Sequence, residues 1–294
     1  MARESQDRLV STEWLAGHLD DPGVVVIDAS YYLPMEQKQA RKDYEAEHIP
    51  GAVFFDIDEI GDPDSELPHM LPSTAHFDEL IGALGIHNDD QLVVYDRRGM
   101  MSAPRVWWTF KAMGHGPVAV LDGGLEKWRS EGRPLEGGKV EREPHRYTAR
   151  LDARLVRDIN AMRTNLDSGR EQVIDARAAD RFAGEAPELW PGRRQGHIPG
   201  SLNLPWNDLV DSASGTFKPL AEIRNKFAKA GVDPERPVVT TCGSGITAAV
   251  LSFGLHLAGH KKTALYDASW SEWGLPGDTP VETGPPDKSP KKAK

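Results

Sequence analysis

The chain has 294 residues, of which 39% are hydrophobic and 27% charged, a composition typical of a folded globular protein rather than a disordered or fibrous one. At roughly 150 residues per domain, this length favours two domains. The formal net charge of −10 disfavours proteins that bind nucleic acids, because phosphate backbones attract basic faces. The single cysteine excludes an intramolecular disulfide, a CxxC redox pair and a multi-cysteine metal site.

The hydrophobic pattern predicts neither membrane insertion nor export. The longest largely apolar stretch, residues 246–259, is shorter than the roughly 20 residues that a membrane-spanning helix needs. The N-terminus lacks the apolar core and the small-residue cleavage site of a signal peptide. We therefore expect a cytoplasmic protein without a membrane partner.

Four segments of the first half of the chain recur, in the same order, in the second half. The pairs are 24–30 with 172–178, 48–58 with 197–207, 92–99 with 238–245, and 119–128 with 264–273. Their nearly constant offset indicates the tandem duplication of a whole domain, since solenoid repeats are much shorter. The predicted organisation is a first domain over 8–135, a linker over 136–155, a second domain over 156–282 and a flexible tail over 283–294.

Short β-branched runs alternate with helical patterns in each copy. Strands are predicted at 24–27, 92–95, 118–121, 173–174, 238–241 and 264–266. Helices are predicted at 74–84, 103–113, 220–230 and 246–257, each followed by a glycine suited to end it. This alternation predicts an α/β fold in which each copy is a parallel sheet flanked by helices.

The segment Cys-Gly-Ser-Gly-Ile-Thr at 242–247 lies between a predicted strand and a predicted helix. A helix N-terminus and the backbone N–H groups of a glycine-rich loop stabilise a thiolate, so Cys242 is a candidate nucleophile. A cysteine phosphatase needs an arginine six positions later, where this chain has Ala248. A cysteine hydrolase stays open, because ten histidines could supply a base. Sulfur transfer through a persulfide fits best, since it needs one cysteine and an anion-stabilising loop.

A family resemblance rests on the duplication, the paired HIPG turns, and the segments SAPRVWW at 102–108, LDGGLEKW at 121–128 and CGSGIT at 242–247. In these features the sequence resembles the two-domain rhodanese-type sulfurtransferases. This resemblance implies a catalytic second copy and a catalytically silent first copy, in which Asp96 stands where the second has Cys242. Members with Cys-Arg-Lys-Gly-Val-Thr use thiosulfate, and members with Cys-Gly-Ser-Gly-Val-Thr use 3-mercaptopyruvate. The present loop differs from the latter only at Ile246.

The resemblance therefore implies transfer of sulfur from 3-mercaptopyruvate, through a Cys242 persulfide, to a thiol or cyanide acceptor, with release of pyruvate. Thioredoxin is a candidate thiol acceptor. Two alternatives are a thiosulfate:cyanide sulfurtransferase and a regulatory protein that carries a persulfide without turnover.

The resemblance also implies roles for individual residues. The predicted catalytic residues are Cys242, Ser244, His69 and Asp58, the last three as a proton shuttle. The predicted substrate-binding residues are Arg181, Arg194, Gly243, Gly245, Ile246 and Thr247. The family's second carboxylate-binding arginine is replaced by Trp190, and Arg194 or its neighbour Arg193 is expected to take its place. No metal-ligand spacing and no nucleotide fingerprint occurs, so neither a metal nor a cofactor is expected.

Overall fold

The computed structural model describes residues 9–286, which form two compact units. The first unit comprises residues 9–153 together with 210–217, and the second comprises residues 154–209 and 218–286. The domain limits expected from the sequence stay predictions. Residue 8 of the predicted first domain and residues 287–294 of the predicted tail lie outside the described residues.

Each unit is built on a five-stranded parallel sheet. The strands of the first unit are β1 (Leu9–Val10), β2 (Val24–Asp28), β3 (Val53–Phe54), β4 (Gln91–Tyr95) and β5 (Val118–Leu121). Those of the second are β6 (Val156–Arg157), β7 (Gln172–Asp175), β8 (Leu202–Asn203), β9 (Val238–Thr241) and β10 (Thr263–Tyr266). The two sheets have the same strand order, which is β1-β5-β4-β2-β3 in the first unit and β6-β10-β9-β7-β8 in the second. This equivalence confirms the predicted duplicated α/β fold.

The helices also repeat. The first unit contains α1 (Thr12–Ala16), α2 (Ala40–Ala46), α3 (Ile57–Ile60), α4 (Thr74–Ala83), α5 (Ala103–Ala112) and α6 (Gly124–Ser130). The second contains α7 (Ile159–Ser168), α8 (Ala179–Ala183), α9 (Leu220–Ala230), α10 (Ala248–Leu257) and α11 (Ser269–Trp273). Short 3₁₀ segments lie at Pro34–Glu36, Ala153–Leu155 and Trp206–Leu209. Between residues 9 and 286, no helix has both the length and the apolar character needed to cross a bilayer.

All four helices expected from the pattern are present, but the prediction that one begins at residue 246 is wrong. That helix, α10, begins at Ala248. The N–H groups of Ala249 and Val250 donate to the carbonyls of Ile246 and Thr247, three residues back rather than the four of an α-helix. Ile246 and Thr247 therefore belong to the loop that follows Cys242.

The repeated HIPG turns are fixed in the same way in both units. The backbones of His48 and Glu136 pair in the first unit, and the Glu136 carboxylate accepts from the N–H of Gly51. His197 and Glu282 pair equivalently in the second unit. The imidazole Nδ1 of each histidine is bonded to a backbone carbonyl, and burial lowers the pKa of His197. Both histidines thus anchor a turn within their own unit.

Candidate active site

Cys242 directly follows β9, the central strand of the second sheet, and its side chain is buried, with 1% exposed. The N–H of Gly245 donates to its Sγ, with 3.1 Å between nitrogen and sulfur. The same loop leads into α10, which begins six residues after Cys242. A backbone donor and a helix N-terminus both favour the thiolate over the thiol.

The backbone of the cysteine loop is held by α11. The N–H of Cys242 donates to the Ser269 hydroxyl at 3.1 Å, and its carbonyl accepts from the Trp270 N–H at 3.0 Å. The Gly243 carbonyl accepts from the Ser271 N–H at 2.7 Å. Three hydrogen bonds on two consecutive residues fix the position from which the sulfur projects. The predicted substrate-binding residues Gly243, Gly245, Ile246 and Thr247 all lie in this loop.

Arg181, on α8, lies against the cysteine loop. A methyl group added at Gly243 would stand 3.1 Å from Nη2 of Arg181, so the guanidinium occupies the space that the missing side chain leaves. Nη2 also donates to Glu188 at 2.5 Å. The Arg181 Nε is buried and has no hydrogen-bond partner among residues 9–286. The guanidinium therefore has one donor that no described residue satisfies, and the side chain as a whole is 16% exposed.

Arg181 is the partly exposed end of a chain of four charges that the sequence did not reveal, and the side chains of the other three are buried. Glu188, whose side chain is 2% exposed, also accepts from Arg177 at 2.6 Å, and Arg177 in turn pairs with Asp175 at 2.7 Å. Burial alone would lower the pKa of Arg177, but Asp175, then Glu188 and Cys242, raise it above its ordinary value. Arg177 also stacks on Trp270, 4.4 Å from the ring centre. Its charge is thus held permanently near the cysteine loop.

The two arginines considered as replacements for the missing family arginine have different surroundings. Arg194 donates to the carbonyls of Thr279 and Trp273 and to the Thr279 hydroxyl. Arg193 donates to the carbonyl of Ser271, the residue whose N–H holds Gly243. The assignment of Arg194 to substrate binding stays a prediction, and most of its donors already bond to the protein.

Asp58 and His69 are brought together within the first unit. Asp58 Oδ1 and His69 Nδ1 are 2.6 Å apart, and His69 is 6% exposed. The φ of His69 is +61°, a left-handed conformation that costs a non-glycine residue about 1–2 kcal/mol. Strain of this kind is often found at functional residues. Ser244 lies in the second unit, where it is 5% exposed, and its action together with this pair stays a prediction.

The first copy shows what the equivalent loop does with a carboxylate in place of the thiol. Asp96 Oδ1 accepts from the N–H groups of Arg98 at 2.8 Å and Met100 at 3.2 Å. Oδ2 accepts from those of Ser102 and Ala103, both at 2.8 Å. Four backbone donors thus converge on one anion at the start of α5. A carboxylate has no sulfur atom with which to form a persulfide, and here it occupies the position toward which the backbone N–H groups point.

The family profile described as "Rhodanese-like domain" matches residues 11–131 and 158–275, and each match spans the last four strands of one sheet. A 3-mercaptopyruvate sulfurtransferase of Homo sapiens is 44% identical over 271 residues, covering 90% of this chain and 91% of that protein. A thiosulfate sulfurtransferase of Cricetulus griseus is 42% identical, covering 94% of this chain and 95% of that protein. The crystal structure of SseA from Escherichia coli aligns with a TM-score of 0.82 at 39% identity, covering 90% of this chain and 99% of that one.

The first prediction concerns Asp96. Asp96→Asn keeps the shape of the side chain. It replaces one carboxylate oxygen by an amide NH₂, which cannot accept, and the other by a neutral carbonyl oxygen, which is a weaker acceptor for the backbone N–H groups. We expect the free energy of unfolding to fall by about 2–3 kcal/mol, measured by urea denaturation. Asp208→Asn, a half-exposed carboxylate beside Lys226, is the matched control. Equal stability of the two variants would contradict the role given to the Asp96 carboxylate.

Proposed function

The chain belongs to the rhodanese family, and from that membership and the geometry of the Cys242 loop we propose that it is a 3-mercaptopyruvate sulfurtransferase. The observation that carries the proposal is the position of Cys242 in a loop of uncharged residues, with the Arg181 guanidinium placed against Gly243. The donor is a small molecule that bears one carboxylate, for which one guanidinium provides a bidentate partner.

The proposed reaction has two transfers of one sulfur atom. The Cys242 thiolate attacks the sulfur of 3-mercaptopyruvate, so that a sulfur–sulfur bond forms while the carbon–sulfur bond breaks. The electron pair of that bond stays on carbon as the enolate of pyruvate, which takes up the proton of the substrate thiol and leaves as pyruvate. An acceptor thiolate or cyanide then attacks the outer sulfur of the persulfide, which returns Cys242 to its thiolate form.

The surroundings of Cys242 suit these steps. The N–H of Gly245 and the N-terminus of α10 stabilise negative charge on sulfur, first as thiolate and then as persulfide. Arg181 binds the donor carboxylate through the donors that Glu188 does not use. We further propose that His69, paired with Asp58, moves the proton together with Ser244, the three acting as an acid–base group.

Thiosulfate is the second candidate donor, because the Cricetulus griseus relative is a thiosulfate sulfurtransferase at comparable identity. Thiosulfate is a dianion and needs paired positive charge when it leaves water. Residues 243 and 244 supply none, and the charge of Arg181 is already partly balanced by Glu188. The charge balance of the loop therefore favours the monocarboxylate. A protein that only stores persulfide is the remaining alternative.

The acceptor and the compartment are proposals as well. We infer that a thiol takes the sulfur, with thioredoxin as the first candidate, because a protein dithiol can release the transferred sulfur by forming a disulfide. A cytoplasmic location stays a prediction from the sequence.

Donor preference is the test of the proposed function. We expect kcat/KM with 3-mercaptopyruvate to exceed that with thiosulfate by at least about tenfold, equivalent to about 1.4 kcal/mol, in steady-state assays with cyanide as acceptor. A preference for thiosulfate would establish the second candidate instead. A persulfide that forms once without turnover would establish the carrier.

Replacing the nucleophile should remove transfer while leaving the fold intact. Cys242→Ser exchanges sulfur for an oxygen that is not ionised at neutral pH and cannot form a persulfide. We expect turnover to fall at least about a thousandfold at an unchanged melting temperature. Sulfur transfer by the purified variant at the wild-type rate would rule out Cys242 as the nucleophile.

Removing Arg181 should weaken donor binding more than it slows chemistry. Losing a charge-assisted contact costs about 1.5–3 kcal/mol, so Arg181→Ala should raise KM for 3-mercaptopyruvate roughly tenfold to a hundredfold. Arg163→Ala, which breaks an exposed pair with Asp278 in the same unit, is the control and should leave KM unchanged. If both variants keep the wild-type KM, the donor carboxylate binds elsewhere.

A further inference from the structure

The hydroxyl of Tyr31 contacts the side of His69 that faces away from Asp58. Its oxygen is 3.2 Å from Nε2 of His69, while Oδ1 of Asp58 is 2.6 Å from Nδ1. Tyr31 and His69 are each 6% exposed, and their rings meet edge to face, with 4.9 Å between the ring centres. Both nitrogens of the imidazole therefore have a partner from the first unit, one a carboxylate and the other a phenol.

The duplicated fold does not itself require this arrangement. Tyr31 follows β2, and its counterpart after β7 in the second copy is Ala178. Asp58 corresponds in the paired segments to Asn207. Both copies form the same sheet without sharing these side chains, so the sheet itself does not depend on the Tyr31–His69–Asp58 group.

The chemistry of the three groups decides where the protons lie. An ionised carboxylate can only accept, so the proton between Asp58 and His69 belongs to Nδ1. A neutral imidazole with that proton presents a lone pair at Nε2. Burial, followed by the charges of Asp58, Glu36 and Asp56, raises the pKa of Tyr31 above its ordinary value, so its hydroxyl keeps its proton and can donate. Among these groups, only Tyr31 offers Nε2 an O–H donor.

The backbone of His69 is held as well. Its carbonyl accepts from the guanidinium of Arg105, which is 2% exposed and lies over the ring of Trp108 at 4.6 Å. This contact fixes a residue whose φ of +61° would otherwise relax. The ring position is thus set from the backbone side by Arg105 and from the two nitrogens by Asp58 and Tyr31.

We propose that Tyr31 is a positioning residue that donates its hydroxyl proton to Nε2 of His69 and so keeps the imidazole neutral, with its proton on Nδ1. The lone pair of Nε2 that accepts from Tyr31 is the one that a general base uses, so the Tyr31 hydroxyl has to turn away when Nε2 takes up a proton. The kinetic consequence rests on the role of His69 in the proposed function. The protonation state of the His69 imidazole does not depend on the proposed function, and it can be measured without substrate.

The direct test is the ¹⁵N NMR of the His69 imidazole in the full chain, assigned with His69→Gln. Wild type should show a protonated Nδ1 and an unprotonated Nε2. Tyr31→Phe removes only the hydroxyl that stabilises the neutral ring, so the titration midpoint of His69 should rise by about 0.5–1 pH unit. Tyr32→Phe is the matched control, since the neighbouring phenol donates instead to Asp43 at 2.7 Å. It should leave the midpoint unchanged.

An unchanged or lowered midpoint in Tyr31→Phe, or a protonated Nε2 in the neutral wild type, would overturn the assignment. The kinetic arm tests the proposed function separately. Tyr31→Phe should shift the acidic limb of the pH profile of kcat/KM for 3-mercaptopyruvate upward by the same amount, with KM at the pH optimum unchanged. A shifted NMR midpoint with an unshifted kinetic profile would support the role of Tyr31 and remove His69 from the proposed mechanism.

Discussion

Backbone N–H groups that converge after the central strand of each sheet are the constraint on which the site depends. A parallel strand that ends and turns directly into a helix leaves several N–H groups pointing toward one position. In the first unit the Asp96 carboxylate satisfies four of them. In the second unit the same position holds Cys242, whose sulfur accepts from Gly245. The two copies therefore place different hydrogen-bond acceptors, a carboxylate and a sulfur, at the same position of the same fold.

The charges around the cysteine loop follow from this constraint. A site that stabilises an anionic sulfur also attracts other anions, and the chain controls this attraction with two arginines and two carboxylates that alternate. Arg177, the inner arginine, is fully committed to Asp175, to Glu188 and to the carbonyl of Gly196. Arg181, the outer one, shares only Nη2 with Glu188 and stands beside Gly243. Arg181 therefore has donors that Glu188 does not use, while the buried ion pairs hold the charge of Arg177 in place.

The sequence predicted those parts of the fold and site that depend on local pattern. The buried runs at 92–95 and 238–241 lie in strands because β-branched residues dominate both, and their repetition in the two halves of the chain predicts both sheets. The edge strands β1, β3, β6 and β8 are two residues each, too short to give a periodic pattern. The pattern predicts the start of α10 two residues early because Ile246 and Thr247 are compatible with a helix, whereas their carbonyls accept turn bonds from residues three positions later.

The side-chain partners were harder to foresee because burial decides them. Glu188 stands in a polar loop in the sequence, yet its carboxylate is 2% exposed because two arginines enclose it. Tyr31 carries no sequence signal of its own, and its contact with His69 joins residues that are 38 positions apart. Asp58 and His69 are predicted through the resemblance alone, and their 2.6 Å contact is a feature that only the structure shows.

The account depends on Cys242 receiving sulfur directly from the donor. The most direct measurement is the intact mass of the protein after one equivalent of 3-mercaptopyruvate without acceptor, together with the pyruvate released. The account predicts the addition of one sulfur atom per chain, located on the Cys242 peptide, and one pyruvate for each sulfur bound. Pyruvate release without added mass, or sulfur on any other peptide, would contradict it.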